Sequence, residues 1–143
     1  MKPFNVFIIL FLIVIGAGLV FFKDGFSTKP SNSEILMDIA NYRNYSDQNL
    51  AFSKKTGRSV LFFAATSWCV TCIALDKEIK ERRNSLPSDI TILKVDYDHN
   101  KEMKRKWGVI IQHTLIVLDK NGQEVKRWVG GNFDLLLSEL SNS

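Results

Sequence analysis

Cysteine is nearly absent from this chain: its 143 residues hold two, Cys69 and Cys72. So few cysteines exclude a small scaffold stapled by several disulfides. No second Cys-x-x-Cys exists, and the two histidines, His99 and His113, lack zinc-finger spacing, which argues against a structural zinc site. Internal repeats and low-complexity tracts are missing, and so is any nucleic-acid-binding motif. The charge is modestly basic, with 19 Lys+Arg against 15 Asp+Glu. The bases are scattered over two segments, Lys77, Lys80, Arg82 and Arg83, then Lys101, Lys104, Arg105 and Lys106. That is the pattern of solvated helix faces, and it gives no reason to expect a nucleic-acid partner.

What is present begins with an apolar run. Phe4 to Phe22 is broken only by Asn5, Gly16 and Gly18, and Lys2 and Lys23 flank it. As a helix it spans about 28 Å, close to the bilayer hydrocarbon thickness of about 30 Å. A cleaved signal peptide fits less well, because the run exceeds an h-region of about 7–15 residues and no clear Ala-x-Ala site follows. No cysteine lies nearby, which excludes a lipoprotein. The expectation is a signal-anchor over residues 1–24, a polar linker over 25–32 containing Pro30, and a domain over 33–143. Lys2 and the free amino terminus favour a cytoplasmic N-terminus. The protein is then expected in the cell membrane, single-pass, with its domain in the periplasm or an equivalent extracytoplasmic space.

Within the domain, Ser31-x-x-Glu34 fits a capping box and predicts a helix through about Tyr42. A second helix is expected from Ser46 to Lys55, with Leu50, Ala51 and Phe52 inward and Thr56-Gly57 ending it. Ser59–Ala65 is apolar on both faces, as in a central strand covered on both sides. A helix follows the cysteines to about Arg83, and Leu86-Pro87-Ser88 turns the chain. Ile90–Tyr97 reads as a strand, Asn100–Trp107 as a short helix stopped by Gly108. Thr114–Asp119 and Glu124–Val129 flank Lys120-Asn121-Gly122, a hairpin signal. Asn132 caps a last amphipathic helix through Leu140. The order βαβα, then ββα, predicts an α/β fold with a mixed sheet and helices on both faces.

A strand that delivers Cys-x-x-Cys to a helix start has a chemical meaning. Cysteine reacts as the thiolate, and a helix N-terminus offers unpaired N–H groups and the positive dipole end. Two intervening residues let the second sulfur close a small disulfide ring on the first. Cys69 is placed to attack and Cys72 to resolve a mixed disulfide. An inert structural disulfide is disfavoured, because so short a loop gains little entropic stabilisation.

Trp68-Cys69-Val70-Thr71-Cys72 after a central strand, with Val95-Asp96, Trp107-Gly108-Val109, Thr114-Leu115-Ile116-Val117, Asn121-Gly122 and Gly130-Gly131, resembles the thioredoxin superfamily over about residues 45–142. The Cys-Val-x-Cys form is most similar to the C-terminal domain of DsbD-type membrane thiol reductases. The resemblance implies a thioredoxin-like three-layer fold and a thiol–disulfide oxidoreductase that needs no dissociable cofactor. It implies Cys69 and Cys72 as the redox-active disulfide, with disulfide-bearing exported proteins as substrates. A transmembrane electron donor of DsbD type is the implied source of electrons. It also places Trp68 on a substrate-binding rim, with the main chain of Gln112 to Thr114 pairing with an extended partner.

Three positions depart from the family pattern. His113 stands where thioredoxins carry a cis-proline before the Thr. A trans Gln112–His113 bond is expected, since a non-proline cis bond costs about 2.5–4 kcal/mol. Beside the sulfurs, His113 would stabilise a Cys69 thiolate if protonated, or act as a base or metal ligand if neutral. Phe63 replaces the buried Asp found six residues before the first cysteine. Asp76, one helical turn past Cys72, is the candidate to tune a thiol pKa in its place. Ile73 replaces the Lys after the second cysteine. A rival reading is a copper metallochaperone using Cys69, Cys72 and His113, by likeness to Sco-type proteins, although those use Cys-x-x-x-Cys.

Overall fold

The computed structural model describes residues 41–143. The apolar run 4–22, the linker 25–32 and most of the helix expected from Ser31 lie outside the described residues. No helix among the described residues is long and apolar enough to cross a membrane.

Among the described residues five strands form one mixed sheet in the order β1-β3-β2-β4-β5. They are β1 (Tyr42–Asn44), β2 (Arg58–Ala64), β3 (Ile90–Asp96), β4 (Thr114–Leu118) and β5 (Glu124–Val129). β1 and β2 run parallel to β3, whereas β4 is antiparallel to β2 and β5 to β4. Among the described residues four helices cover the sheet: α1 (Asp47–Thr56), α2 (Val70–Arg82), α3 (Lys101–Trp107) and α4 (Phe133–Ser141).

The layers follow from alternation in β2. Val60, Phe62 and Ala64 turn to one face and pack with Leu75 and Ile79 of α2 and with Phe133, Leu136 and Leu140 of α4. Leu61 and Phe63 turn to the other face and pack with Leu93, Val95, Ile116, Met103 and Val109. A strand buried on both sides has no polar face to alternate with, which is why β2 reads as a continuous apolar run. The helix ends carry the expected caps: Ser46, Asn100 and Asn132 accept backbone N–H groups from Asn49, Met103 and Leu135. Gly108 closes α3 in the left-handed region at φ 61°. Gly57 closes α1 where a Cβ would stand 2.3 Å from the Asp89 carbonyl oxygen, so no larger residue fits.

Two local expectations are corrected. Tyr42 does not end a helix; it opens β1, paired with Ile92 of β3. A three-residue edge strand is too short to show a period, and its formation depends on β3 and on burial of Tyr42. In α1, Ala51 and Phe52 do not point inward: both are exposed, with Arg43 stacked 4.3 Å over the Phe52 ring. Leu50 is half-buried, and the fully buried residue of α1 is Ser53, whose hydroxyl meets that of Ser59 at 2.6 Å. A satisfied hydroxyl pair lets a polar residue occupy the apolar interface, which hydrophobic periodicity does not register.

Candidate active site

β2 ends at Ala64, and the Ala65 carbonyl turns the chain by accepting the N–H of Cys69 at 2.9 Å. Cys69 then serves as the N-cap of α2, with its sulfur accepting the Cys72 N–H at 3.2 Å. On reduction the same N–H is placed to stabilise a Cys69 thiolate. Cys69 and Cys72 are joined in a disulfide, with Cα atoms 5.2 Å apart. Cys72 is fully buried, whereas Cys69 retains 6% exposure. Trp68, Val70 and Ile73 stand exposed on the neighbouring chain. The Trp68 indole N–H is held by the Asp98 carboxylate at 3.1 Å.

His113 lies directly beside this pair. Its peptide bond is trans, and its φ of 58° puts it in the left-handed region, uncommon outside glycine. Main-chain pairing enforces that conformation: the His113 N–H donates to Phe63 O, and its carbonyl accepts from Gly130 N–H, both at 2.8 Å. The ring is buried, 5.6 Å from the Phe62 ring centre. Nδ1 lies 2.9 Å from Thr71 Oγ1, and Nε2 has no hydrogen-bond partner. Burial pushes the His113 pKa below its ordinary value and outweighs the opposing effect of the Gly131 backbone. A neutral imidazole follows at physiological pH.

Thr71 completes the site, and the sequence reading gave it no role. Its hydroxyl stands 3.4 Å from Cys69 Sγ as well as 2.9 Å from His113 Nδ1. It therefore links the attacking sulfur to the imidazole. With the proton on Nδ1, the chain N–H to O–H to sulfur stabilises a Cys69 thiolate without a cation. The usable signal was a hydroxyl residue inside the first turn of a helix whose N-cap is the reactive cysteine.

The other expected residues separate from this centre. Asp76 is buried in a network of its own, accepting from Tyr42 Oη and Lys80 Nζ, both at 2.5 Å, and from Lys94 Nζ at 3.1 Å. Burial raises its pKa, but these three partners outweigh it and hold Asp76 below the ordinary carboxylate value. It is thus a fixed anion committed to Lys80 and Lys94. Phe63, the position of the missing Asp, packs in the cluster opposite the cysteines, and Phe62 is the aromatic on their side. Of the partner-binding stretch, His113 and Thr114 spend their main chains on β2, β5 and Gly130. The Thr114 hydroxyl donates to Ile111 O at 2.6 Å, and half-buried Gln112 alone of the three lies outside these pairings.

Thr71→Val keeps the shape and removes the hydroxyl. Alkylation of reduced Cys69 at neutral pH is expected to slow about fivefold, for the loss of about 1 kcal/mol of hydrogen bonding. His113→Ala is expected to change the pH dependence of the same rate. Identical curves for both variants and the wild type would remove the Thr71–His113 pair from the mechanism.

Comparison with known proteins agrees with this geometry. The thioredoxin family profile matches residues 40–142. Thioredoxin H2-1 of rice is 36% identical over 83 residues, 58% of this chain and 59% of that protein. The thioredoxin of Bacillus subtilis is 34% identical over 95 residues, 64% of this chain and 88% of that one. Among solved structures, the Trxlp protein of Edwardsiella tarda superposes with a TM-score of 0.57 at 27% identity, covering 68% of this chain and 94% of that one. NaTrxh, a thioredoxin of Nicotiana alata, gives 0.56 at 27% identity, covering 68% and 86%. With its family profile matched and a cysteine pair at the head of α2, the chain belongs to the thioredoxin family and is a thiol–disulfide oxidoreductase.

Proposed function

We propose that this protein is a membrane-anchored, extracytoplasmic reductase of protein disulfides, recharged by a transmembrane electron donor of DsbD type. Reduced Cys69 attacks a substrate disulfide, one substrate sulfur leaves as a thiol, and Cys72 displaces the second. The substrate gains two electrons and two protons, and the Cys69–Cys72 disulfide reforms.

The observation that carries the reducing direction is the burial of the His113 ring, which disfavours an imidazolium beside Cys69. A thiol–disulfide protein is a strong oxidant when its reduced form is stabilised. An imidazolium beside Cys69 would supply that stabilisation; a neutral imidazole acting through Thr71 supplies less. The apolar run Phe4–Phe22 and its flanking lysines support the anchor and the exported domain. The Cys69-Val70-Thr71-Cys72 dipeptide form supports closeness to DsbD-type domains.

The test is the equilibrium reduction potential of the pair in the full-length chain. A value near the thioredoxin level, about −270 mV, is expected, and a value near about −120 mV would make the protein an oxidant. A reporter fused to the C-terminus is expected to be active only outside the cytoplasm. Cytoplasmic activity would overturn the topology.

A further inference from the structure

We propose that the reduced site binds one Cu(I) ion through Cys69 Sγ, Cys72 Sγ and an imidazole nitrogen of His113, and that the bound ion withholds the dithiol from exchange. The inference rests on the reading of Cys69–Cys72 as a reducible pair and adds a ligand to it. The three ligand atoms lie within 4.8 Å of one another. All three residues are buried, at 6%, 0% and 3% exposure. They come from two elements, the head of α2 and the loop before β4, so the fold itself assembles them.

The state of His113 is the second observation. A buried polar nitrogen without a partner costs about 1–3 kcal/mol, so folds seldom leave one. Nε2 is such an atom. The tautomer protonated at Nδ1 donates to Thr71 and leaves Nε2 with a bare lone pair. A histidine ligand whose other nitrogen is tied by a hydrogen bond is the usual second-sphere arrangement of metal sites. Here that tie is already made.

The donor set selects the metal. Two thiolates and one imidazole are soft, which suits Cu(I). A three-ligand zinc site takes a water as its fourth ligand, and Cys69, Cys72 and His113, at 6%, 0% and 3% exposure, leave little access for one. The described cluster holds three ligands in a buried setting, and Thr71 Oγ1 is occupied by Cys69 and His113. The balance is simple. A dithiol reductant delivers two electrons and two protons to the disulfide and becomes a disulfide itself. Cu(I) then displaces the two thiol protons, forming two Cu–S bonds and one Cu–N bond with no change in its oxidation state. While both sulfurs are ligated, neither is free to attack, so copper and substrate disulfide compete for Cys69.

The full-length chain in detergent is reduced, desalted under argon and titrated with Cu(I) against bathocuproine disulfonate. One equivalent is expected to resist the chelator, with X-ray absorption reporting two sulfurs and one nitrogen. His113→Asn is the informative variant, because Asn tolerates the left-handed backbone and is a poor Cu(I) ligand. With its fold checked by near-ultraviolet circular dichroism, its affinity is expected to fall at least about tenfold and the nitrogen to vanish. Wild-type affinity in His113→Asn, or binding of zinc in preference to Cu(I), would overturn the site. Exchange by the copper-loaded wild type at the metal-free rate would overturn the masking. The metal-free protein is assayed in parallel for disulfide exchange. Exchange without copper binding refutes this inference alone; copper binding without exchange refutes the proposed function and leaves the site standing.

Discussion

Cys69→Ser is expected to reduce disulfide exchange to the uncatalysed background, a loss of at least about three orders of magnitude. The asymmetry of the pair dictates this. Cys69 caps α2, receives the Cys72 N–H and the Thr71 hydroxyl contact, and keeps an edge open to solvent. Cys72 is fully enclosed and has no route to a substrate sulfur. It cannot replace Cys69 as the attacker, but it is one helical turn away and ready to resolve. Cys72→Ser therefore completes the first attack and stops. A rapid-quench assay on a peptide disulfide is expected to show one equivalent of leaving thiol released per Cys72→Ser molecule, with no further turnover. Non-reducing electrophoresis is expected to show a covalent adduct that dithiothreitol releases. A Cys69→Ser protein that still turns over would remove the exchange chemistry from this pair.

The sequence made the layers and the cysteine pair legible for physical reasons. β2 is apolar on both faces, and the capping residues Ser46, Asn100 and Asn132 are local signals that tertiary packing had no reason to override. Cys-x-x-Cys at a strand-to-helix junction points to thiol chemistry through its spacing and its place at a helix start. What stayed illegible depends on contacts between distant residues. β1 exists because Ile92 and its neighbours offer an edge, and Tyr42 is 34 residues from the Asp76 that anchors it. Thr71 and His113 meet across 42 residues, so no local window contains their hydrogen bond. The Asp76 position was found by helical spacing, but its partners were not. Lys94 comes from β3, and its arrival turns an expected thiol modulator into the centre of an ion network.

Asp76→Leu is expected to be the most destabilising single change at that network, lowering the unfolding free energy by about 3 kcal/mol, the lower end of the cost of breaking a buried pair. Lys80 is half-exposed and contributes little. The cost comes from Lys94 and the Tyr42 hydroxyl, both of which lose their carboxylate inside the fold. A fall in Tm of roughly 10–20 °C corresponds to it. The double variant Asp76→Leu with Lys94→Met removes both charges and is expected to recover most of the loss, because an apolar replacement has no ion to desolvate. If the double variant is as unstable as the single, packing rather than charge is the cause. The pH dependence gives an independent reading. The folded pKa of Asp76 lies below the ordinary carboxylate value of 3.8, so the unfolded chain binds the proton more tightly. The stabilisation is then fully present above pH 3.8 and is lost as the pH falls through the folded value. His113 has the same sign at a higher range. Its folded pKa lies below 6.5, so acid stabilises the unfolded chain as soon as the pH drops beneath that value. Wild type is expected to lose stability in two stages on acidification. His113→Asn is expected to remove the first stage and Asp76→Leu to diminish the second, to which Asp89, Asp96, Asp119 and Glu124, each also held below its ordinary value, contribute the remainder, read as Tm against pH by circular dichroism.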